Sequence, residues 1–333
     1  MLHYDNACTG LLQSDSRAGQ STGPCEKEVP LNSREKGFLL LTSQLGNPDR
    51  KPLTTAQLRI LAGRVKAAPK DPTPRDLMQE DLLSLGYGRE MADRILHLLG
   101  EEELLHYYCR RGEKRGCYPL TRLTAGYPGQ LQRKLGEETP GCLWYKGDLS
   151  LLSQPMVALV GSRELLERNC RFAREVGRQA ARQGYVLVSG NARGADQTAQ
   201  NACLGAGGKV ICVVADSLEE KTPKENALYL SEDGFDCAFT AQRAISRNRV
   251  IHALAERTFV AQAGLYTGGT WDGTAKNLRH EWSKVFCFAD GSAAMEELVQ
   301  MGAEPILDTE LQNLEALSRG TAGFLDQNWE EQP

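Results

Sequence analysis

Four short segments combine residue types suited to holding a phosphate-bearing ligand, and each lies where a β-like run ends. Val160-Gly161-Ser162-Arg163 joins a tight glycine turn to a guanidinium, at the point where an apolar run stops and a helical pattern begins. Free amides at a helix N-terminus attract an anion, and the guanidinium fork matches phosphate geometry. Ser189-Gly190-Asn191-Ala192-Arg193-Gly194-Ala195-Asp196 places two glycines among small residues that keep clear of a bound group. In this segment Ser189 and Asp196 can bond a sugar or a base, or they simply cap the loop and the following helix. In the third segment, 242–251, Arg243, Arg247 and Arg249 lead into an apolar helix and can meet successive phosphates, with Asn248 open to a base or a backbone group. The fourth, 266–274, sets Gly268, Gly269 and Thr270 in an amide-lined loop that suits phosphate. Its Trp271 either stacks on a base or packs inward.

Each segment alone also has an ordinary structural reading as a strand-to-helix turn, a cap or a solvated basic turn. Together, at the strand ends of one sheet, they define a single phosphate-seeking groove. Several familiar kinds of catalytic chemistry lack their motifs. The chain has no GxxxxGK[ST], no HExxH, no GxSxG, no CxxC and no paired histidines, and His252 and His280 read as structural. We therefore expect no catalytic residue, no metal and no cofactor, and a site that binds.

The elements that must position these segments follow from periodicity. From Pro155 onward short β-rich runs at 156–160, 185–189, 209–215, 258–261 and 284–288 alternate with amphipathic stretches at 164–183, 195–206, 249–256, 270–282 and 292–302. Such alternation predicts an α/β fold, a doubly wound and mostly parallel sheet covered on both faces, with its ligand at the carboxyl ends of the strands. Upstream, capped and apolar-periodic runs at 54–65, 76–83 and 89–99 predict a small helical domain. Within it Leu85-Gly86-Tyr87-Gly88 is either a plain turn or a hairpin offering amides to a DNA phosphate. The expected organisation is a poorly ordered leader over 1–35, the helical domain over 36–117 and a connector with an edge strand over 118–150. The sheet domain follows over 151–308 and a tail over 309–333.

Composition narrows the options further. Of 333 residues 41% are hydrophobic, and 39 basic side chains face 43 acidic ones for a net charge of −4. That balance excludes gripping nucleic acid by bulk positive charge, so any polyanion site must be concentrated. No apolar run approaches the ~20 residues of a membrane helix. The ten cysteines show no metal or disulfide pattern and read as reduced thiols, which with the absence of a secretory signal predicts a cytoplasmic protein.

The ordered motifs resemble those of the DNA-processing DprA (Smf) family. They are Val-Gly-Ser-Arg at 160–163, Ser-Gly-x-Ala-x-Gly-x-Asp at 189–196, Ala-Gly-Gly at 206–208, Pro-x-Glu-Asn at 223–226 and Arg-Asn-Arg-Val-Ile at 247–251. A Gly-rich loop at 268–274 completes the series, preceded by Tyr127-Pro128 and Trp-Tyr-Lys-Gly-Asp at 144–148. The resemblance implies a Rossmann-like domain in a bacterial, non-catalytic protein. Such a protein binds and protects incoming single-stranded DNA during natural transformation and helps load the RecA recombinase, with a homodimer as the expected assembly. It places DNA contacts on Arg163, on the Lys221/Lys224 region and on the basic segment 243–249. The chain departs from the family pattern at Phe288-Ala289-Asp290-Gly291, and the roughly 27 residues after Ile306 are too few for a winged-helix domain. The loop at 267–274 is also similar to that of phosphoribohydrolases, which implies a nucleotide sensor or a nucleoside-monophosphate hydrolase as the alternative. The Glu that such enzymes carry after Gly-Thr is missing here, where Gly273-Thr274 is followed by Ala275-Lys276-Asn277.

Overall fold

The computed structural model describes residues 31–69 and 75–318, so the expected leader up to residue 30 and the last part of the tail lie outside the described residues. The chain divides into two compact units, one running to Arg111 and including Thr121–Ala125, the other comprising Gly112–Leu120 and the chain from Gly126 onward.

The first unit is helical, with α1 (Ser33–Thr42), α2 (Thr55–Ala67), α3 (Gln79–Ser84), α4 (Arg89–Gly100) and most of α5 (Glu102–Glu113). Helix α1 starts inside the segment expected as leader. There Asn32 accepts from the Glu35 amide at 3.0 Å while the Glu35 carboxylate accepts from the Asn32 amide at 2.9 Å, a reciprocal cap. Leu53, Leu61, Leu82, Ala92, Ile95 and Leu98 form the core of this unit. Arg50 is buried beside it and donates to the carbonyls of Leu40 and Leu98 and to the Glu101 carboxylate. In the turn at 85–88 the amides of Leu85, Gly86 and Tyr87 donate to the carbonyls of Asp81, Leu83 and Leu82. Those amides are therefore occupied by the preceding helix, and Tyr87 lies under the Arg64 guanidinium at 4.4 Å. The turn joins α3 to α4, which starts directly after Gly88.

The second unit is built on a nine-stranded sheet ordered β1-β2-β6-β5-β4-β3-β7-β8-β9. Its strands are β1 (Tyr118–Thr121), β2 (Cys142–Gly147), β3 (Met156–Val160), β4 (Val186–Ser189), β5 (Lys209–Val213), β6 (Ala227–Ser231), β7 (Arg257–Val260), β8 (Lys284–Phe288) and β9 (Glu304–Ile306). The pairs from β6 through β9 are parallel, and β2 joins β6 antiparallel. Residues β3 to β6 are buried almost throughout, the continuous apolar signature of strands covered on both faces.

Helices α6 (Gly129–Leu135), α7 (Glu167–Arg182), α8 (Ala195–Gly205), α9 (Ala241–Leu254), α10 (Gly268–His280) and α11 (Ala293–Gln300) complete the unit. Met156, Ala158 and Val160 of β3 share a core with Val250, Ile251 and Leu254 of α9 and Trp271 of α10. Helices α7 and α8 pack on each other and on β3 and β4. Trp271 is thus a core residue, 6% exposed, with Tyr266 edge-on at 5.0 Å.

The structure departs from the expected elements in three places. Strands β1, β6 and β9 are additional: β1 falls in the expected connector, no helix separates β5 from β6, so the strand-helix rhythm passes over β6, and β9 is only three residues long. Helix α9 begins eight residues before the apolar stretch at 249, because Thr240 caps it by accepting from the Arg243 amide at 3.1 Å. The basic segment is therefore helical. Within the expected tail, Leu311 and Leu314 are fully buried, and Gln183, the C-cap of α7, binds the backbone of both.

Candidate nucleotide-binding cleft

A cleft of about 480 Å³ opens at the carboxyl ends of β3 and its two neighbours, β4 and β7. The chain leaves β3 toward β4 and returns to β7 on the other side, which is where an open α/β sheet leaves a crevice. All four segments singled out from the sequence contribute to its lining, the third as part of α9 and the fourth as the start of α10.

Gly161, Ser162 and Arg163 form one wall. Helix α7 starts only at Glu167, so this turn is not a helix N-terminus as the sequence reading had it. Instead Gln262, just after β7, clamps it. Its carbonyl accepts from the Ser162 amide at 2.9 Å and from Ser162 Oγ at 3.2 Å, and its side-chain oxygen accepts from the Leu166 amide at 3.0 Å. A Cβ on Gly161 would lie 2.5 Å from that of Ala195, so glycine here lets the α8 N-terminus come close. Arg163 is exposed, forms no ion pair among the described residues, and holds its guanidinium carbon 5.9 Å from the centre of the Phe239 ring.

The second segment turns around Asp196, which lines the cleft but is only 6% exposed. Its Oδ2 accepts from the amides of Gly190 and Ala192 at 3.1 and 3.2 Å, so it ties the loop together. Burial raises its pKa, and the nearby Arg247 guanidinium opposes that rise. Gly190 is where Arg247 passes against the loop: a Cβ there would coincide with the guanidinium. Gly194 caps α8 at φ 83°, ψ −123°, a backbone conformation open essentially to glycine alone. Ser189 is fully buried, its hydroxyl accepting from the Gln200 amide, and does not reach the cleft. Arg193 is exposed outside the lining.

Of the three arginines on α9, the structure brings one to the cleft. Arg247 lies at its floor, 8% exposed, donating to the Val213 carbonyl at 2.7 Å. Arg243 donates to the carbonyls of Ala215, Cys237 and Ala238, to Ser231 Oγ and to Asp233, all within 3.0 Å. Arg249 points elsewhere because two helical positions are about 200° apart. It grips both oxygens of the half-buried Glu232 carboxylate at 3.2 and 2.9 Å. Neither Arg243 nor Arg249 lines the cleft. Lys221 pairs with Asp216, and both it and the exposed Lys224 sit in the β5–β6 connection outside the lining.

Asn248 lines the cleft and fixes the last segment by donating to the Gly269 carbonyl at 3.0 Å. Gly268, Gly269 and Thr270 form the first turn of α10, whose amides have no acceptor inside the helix and therefore favour an anion. Two apolar side chains of the lining were not singled out from the sequence. Phe239 and Ile245 are 53% and 44% exposed, an unusual display of apolar surface at the mouth of a polar cleft. Phe239 lies outside all four segments, and Ile245 lies inside the third, where the basic residues and Asn248 carried the reading, so neither apolar side chain signalled its exposure.

His252 lies beneath the floor, its Nδ1 3.1 Å from Asn277 Nδ2 and 3.2 Å from Thr258 Oγ1. Burial lowers its pKa to about 3, so it stays neutral while the unfolded chain's histidine protonates near 6.5. The unfolded state then binds one proton more than the native state between those values, and stability falls as pH drops through that window. The expected slope is about 1.4 kcal/mol per pH unit for this one group. Urea midpoints from pH 7 to 4 should fall more steeply for the natural chain than for His252→Gln; parallel lines would refute the assignment.

Among the described residues the one carboxylate in the lining is Asp196, and it is already engaged by two amides. Among the described residues no group of three or more His, Cys, Asp or Glu could hold a metal ion, and no helix is long and apolar enough to cross a membrane.

Comparison with known proteins places this geometry. The model of the DNA recombination-mediator protein A family matches residues 119–316, more than half of the chain. The chain is 34% identical over 182 residues to the DNA processing protein DprA of Streptococcus pneumoniae, covering 50% of this chain and 64% of that protein. It is 27% identical over 269 residues to the protein Smf of Synechocystis, covering 74% and 65%. The matches thus span slightly less than two thirds of these curated relatives. Among solved structures, the S. pneumoniae DprA superposes with a TM-score of 0.60 at 26% identity, over 78% of this chain and 92% of that one. DNA processing protein A of Helicobacter pylori shares the fold, with a TM-score of 0.51 at 22% identity over 61% and 96%. With its sheet order, its strand-end loops and this family match in agreement, the chain belongs to the DNA recombination-mediator protein A family.

Proposed function

We propose that the protein binds single-stranded DNA in this cleft, without covalent chemistry, as a DNA-processing protein of the DprA/Smf type. One observation carries the reading. Arg163 presents an exposed guanidinium, without an ion pair among the described residues, beside an exposed phenyl ring in a cleft that the first-turn residues of α10 also line. The cleft's one lining carboxylate among the described residues, Asp196, is held by two amides. A guanidinium and helix amides take a phosphate, and an exposed aromatic face takes a base of any identity. The family supports the same ligand: the solved H. pylori relative is described by its single-stranded DNA binding mode. On the family reading the protein acts in the bacterial cytoplasm as a homodimer, protects incoming DNA in transformation and passes the strand to RecA. Light scattering and co-precipitation with RecA test those two partners.

The cleft volume of about 480 Å³ also suits one free nucleotide, which keeps a nucleotide sensor or a phosphoribohydrolase as the second reading. Fluorescence anisotropy of a labelled strand of about 30 nucleotides across a salt series separates them. Tight binding that weakens with salt, and that duplex and mononucleotides displace poorly, is expected. Absence of strand binding with displacement or turnover of a mononucleotide would overturn the DNA reading.

A further inference from the structure

Helix α7 carries a row of arginines that the cleft does not use. Arg168, Arg171, Arg174, Arg178 and Arg182 recur every three or four residues, so they share one side of the helix, opposite the buried Phe172, Val176 and Ala180. Arg174, Arg178 and Arg182 line a groove of about 540 Å³ against α8, whose other walls are Thr198, Asn201 and the small residues Ala202, Gly205 and Ala206. Among the described residues no acidic side chain lines that groove. On the opposite flank of the row lie Glu175, 3.7 Å from Arg178, and Asp308. Among the described residues Arg171 and Arg182 make no hydrogen bond or ion pair.

Like charges four residues apart, as in Arg174–Arg178 and Arg178–Arg182, repel and weaken a helix. A chain with four more acids than bases has acids enough to neutralise such a row, yet the α8 groove holds none. The groove therefore suits a polyanion. It offers no side chain larger than threonine or asparagine besides the arginines, and so lacks the aromatic and aliphatic anchors of a protein interface. Guanidinium forks with Thr198 and Asn201 as auxiliary donors fit phosphodiester oxygens. Helix α7 begins four residues after Arg163. At 1.5 Å per residue the row from Arg168 to Arg182 extends about 21 Å along the flank of the sheet, away from the cleft.

We propose that this face of α7 is a second nucleic-acid track, which takes the backbone of the single strand where it leaves the cleft past Arg163. The inference rests on the DNA reading above, and its test separates the two. Affinities of the full chain are measured for a strand of about six nucleotides, which the cleft alone can hold, and for one of about 30. The triple variant R174Q/R178Q/R182Q should lose at least tenfold in affinity for the long strand and leave the short one unchanged. Each lost phosphate contact removes about 0.7 from the slope of log affinity against log salt, so the long-strand slope should fall by about two. The R174K/R178K/R182K variant, which keeps the charge, should retain most of the affinity. Long-strand binding by the glutamine variant at natural strength and slope would overturn the track and leave the face to an acidic protein partner. Failure of the natural chain to bind even the short strand would overturn the cleft reading, and the track with it.

Discussion

Gly194→Ala should both unfold the protein more readily and silence the cleft. Gly194 holds φ 83°, ψ −123°, and a Cβ there would stand 2.3 Å from the Arg163 carbonyl oxygen and 2.5 Å from that of Ser162. Both obstacles are backbone, so no side chain can swing aside. Backbone strain and overpacking each cost about 1–3 kcal/mol, which sets an expected loss of roughly 3 kcal/mol or more. Relief requires the Ser162–Arg163 turn to move away from α8, breaking the bond from the Ala195 amide to the Ser162 carbonyl at 3.2 Å. Arg163 and the first turn of α8 then lose their register across the cleft. Urea denaturation with strand binding on the same preparation checks both effects. Gly63→Ala is the control: mid-helix in α2, with nothing within 4 Å of its new Cβ, it should stabilise by up to about 1 kcal/mol. A Gly194→Ala protein with unchanged midpoint and affinity would disprove the close approach of the two loops.

The second large effect is on binding alone. Arg163→Ala should weaken a single strand at least tenfold, for all sequences alike, and lower the salt slope by about 0.7. The fold should be little affected, because the side chain is exposed and makes no hydrogen bond or ion pair among the described residues. Arg163→Lys should recover part of the affinity, since an ammonium keeps the charge but loses the bidentate fork. Arg243→Ala makes the instructive contrast. That residue holds three carbonyls beside the β5 and β6 ends, so its loss should lower stability and leave the strand's affinity in the remaining folded protein near natural. If Arg163→Ala binds as the natural chain does, the cleft is not the strand's site.

Much of this architecture is local and therefore legible in the sequence. Met156–Val160 and Lys284–Phe288 fall where continuous apolar runs predict buried strands, and Thr54 starts α2 through a cap set by neighbouring residues. The glycines at 161, 190, 194 and 268 mark tight loops at strand ends for the same reason: a backbone that must turn or be closely approached excludes a side chain. The arginine spacing on α7 is likewise visible in the chain. What tertiary structure alone decided is where each charged or polar group finds its partner. Arg243, Arg247 and Arg249 stand within seven residues, yet one ties loop carbonyls together, one floors the cleft and one binds the Glu232 carboxylate. Ser189 turns inward to Gln200, and Phe239, silent in sequence, is carried to the mouth of the cleft beside Arg163. Backbone turns and caps depend on residues a few positions apart, whereas a guanidinium bonds whichever oxygens the folded sheet brings within about 3 Å, at any sequence distance.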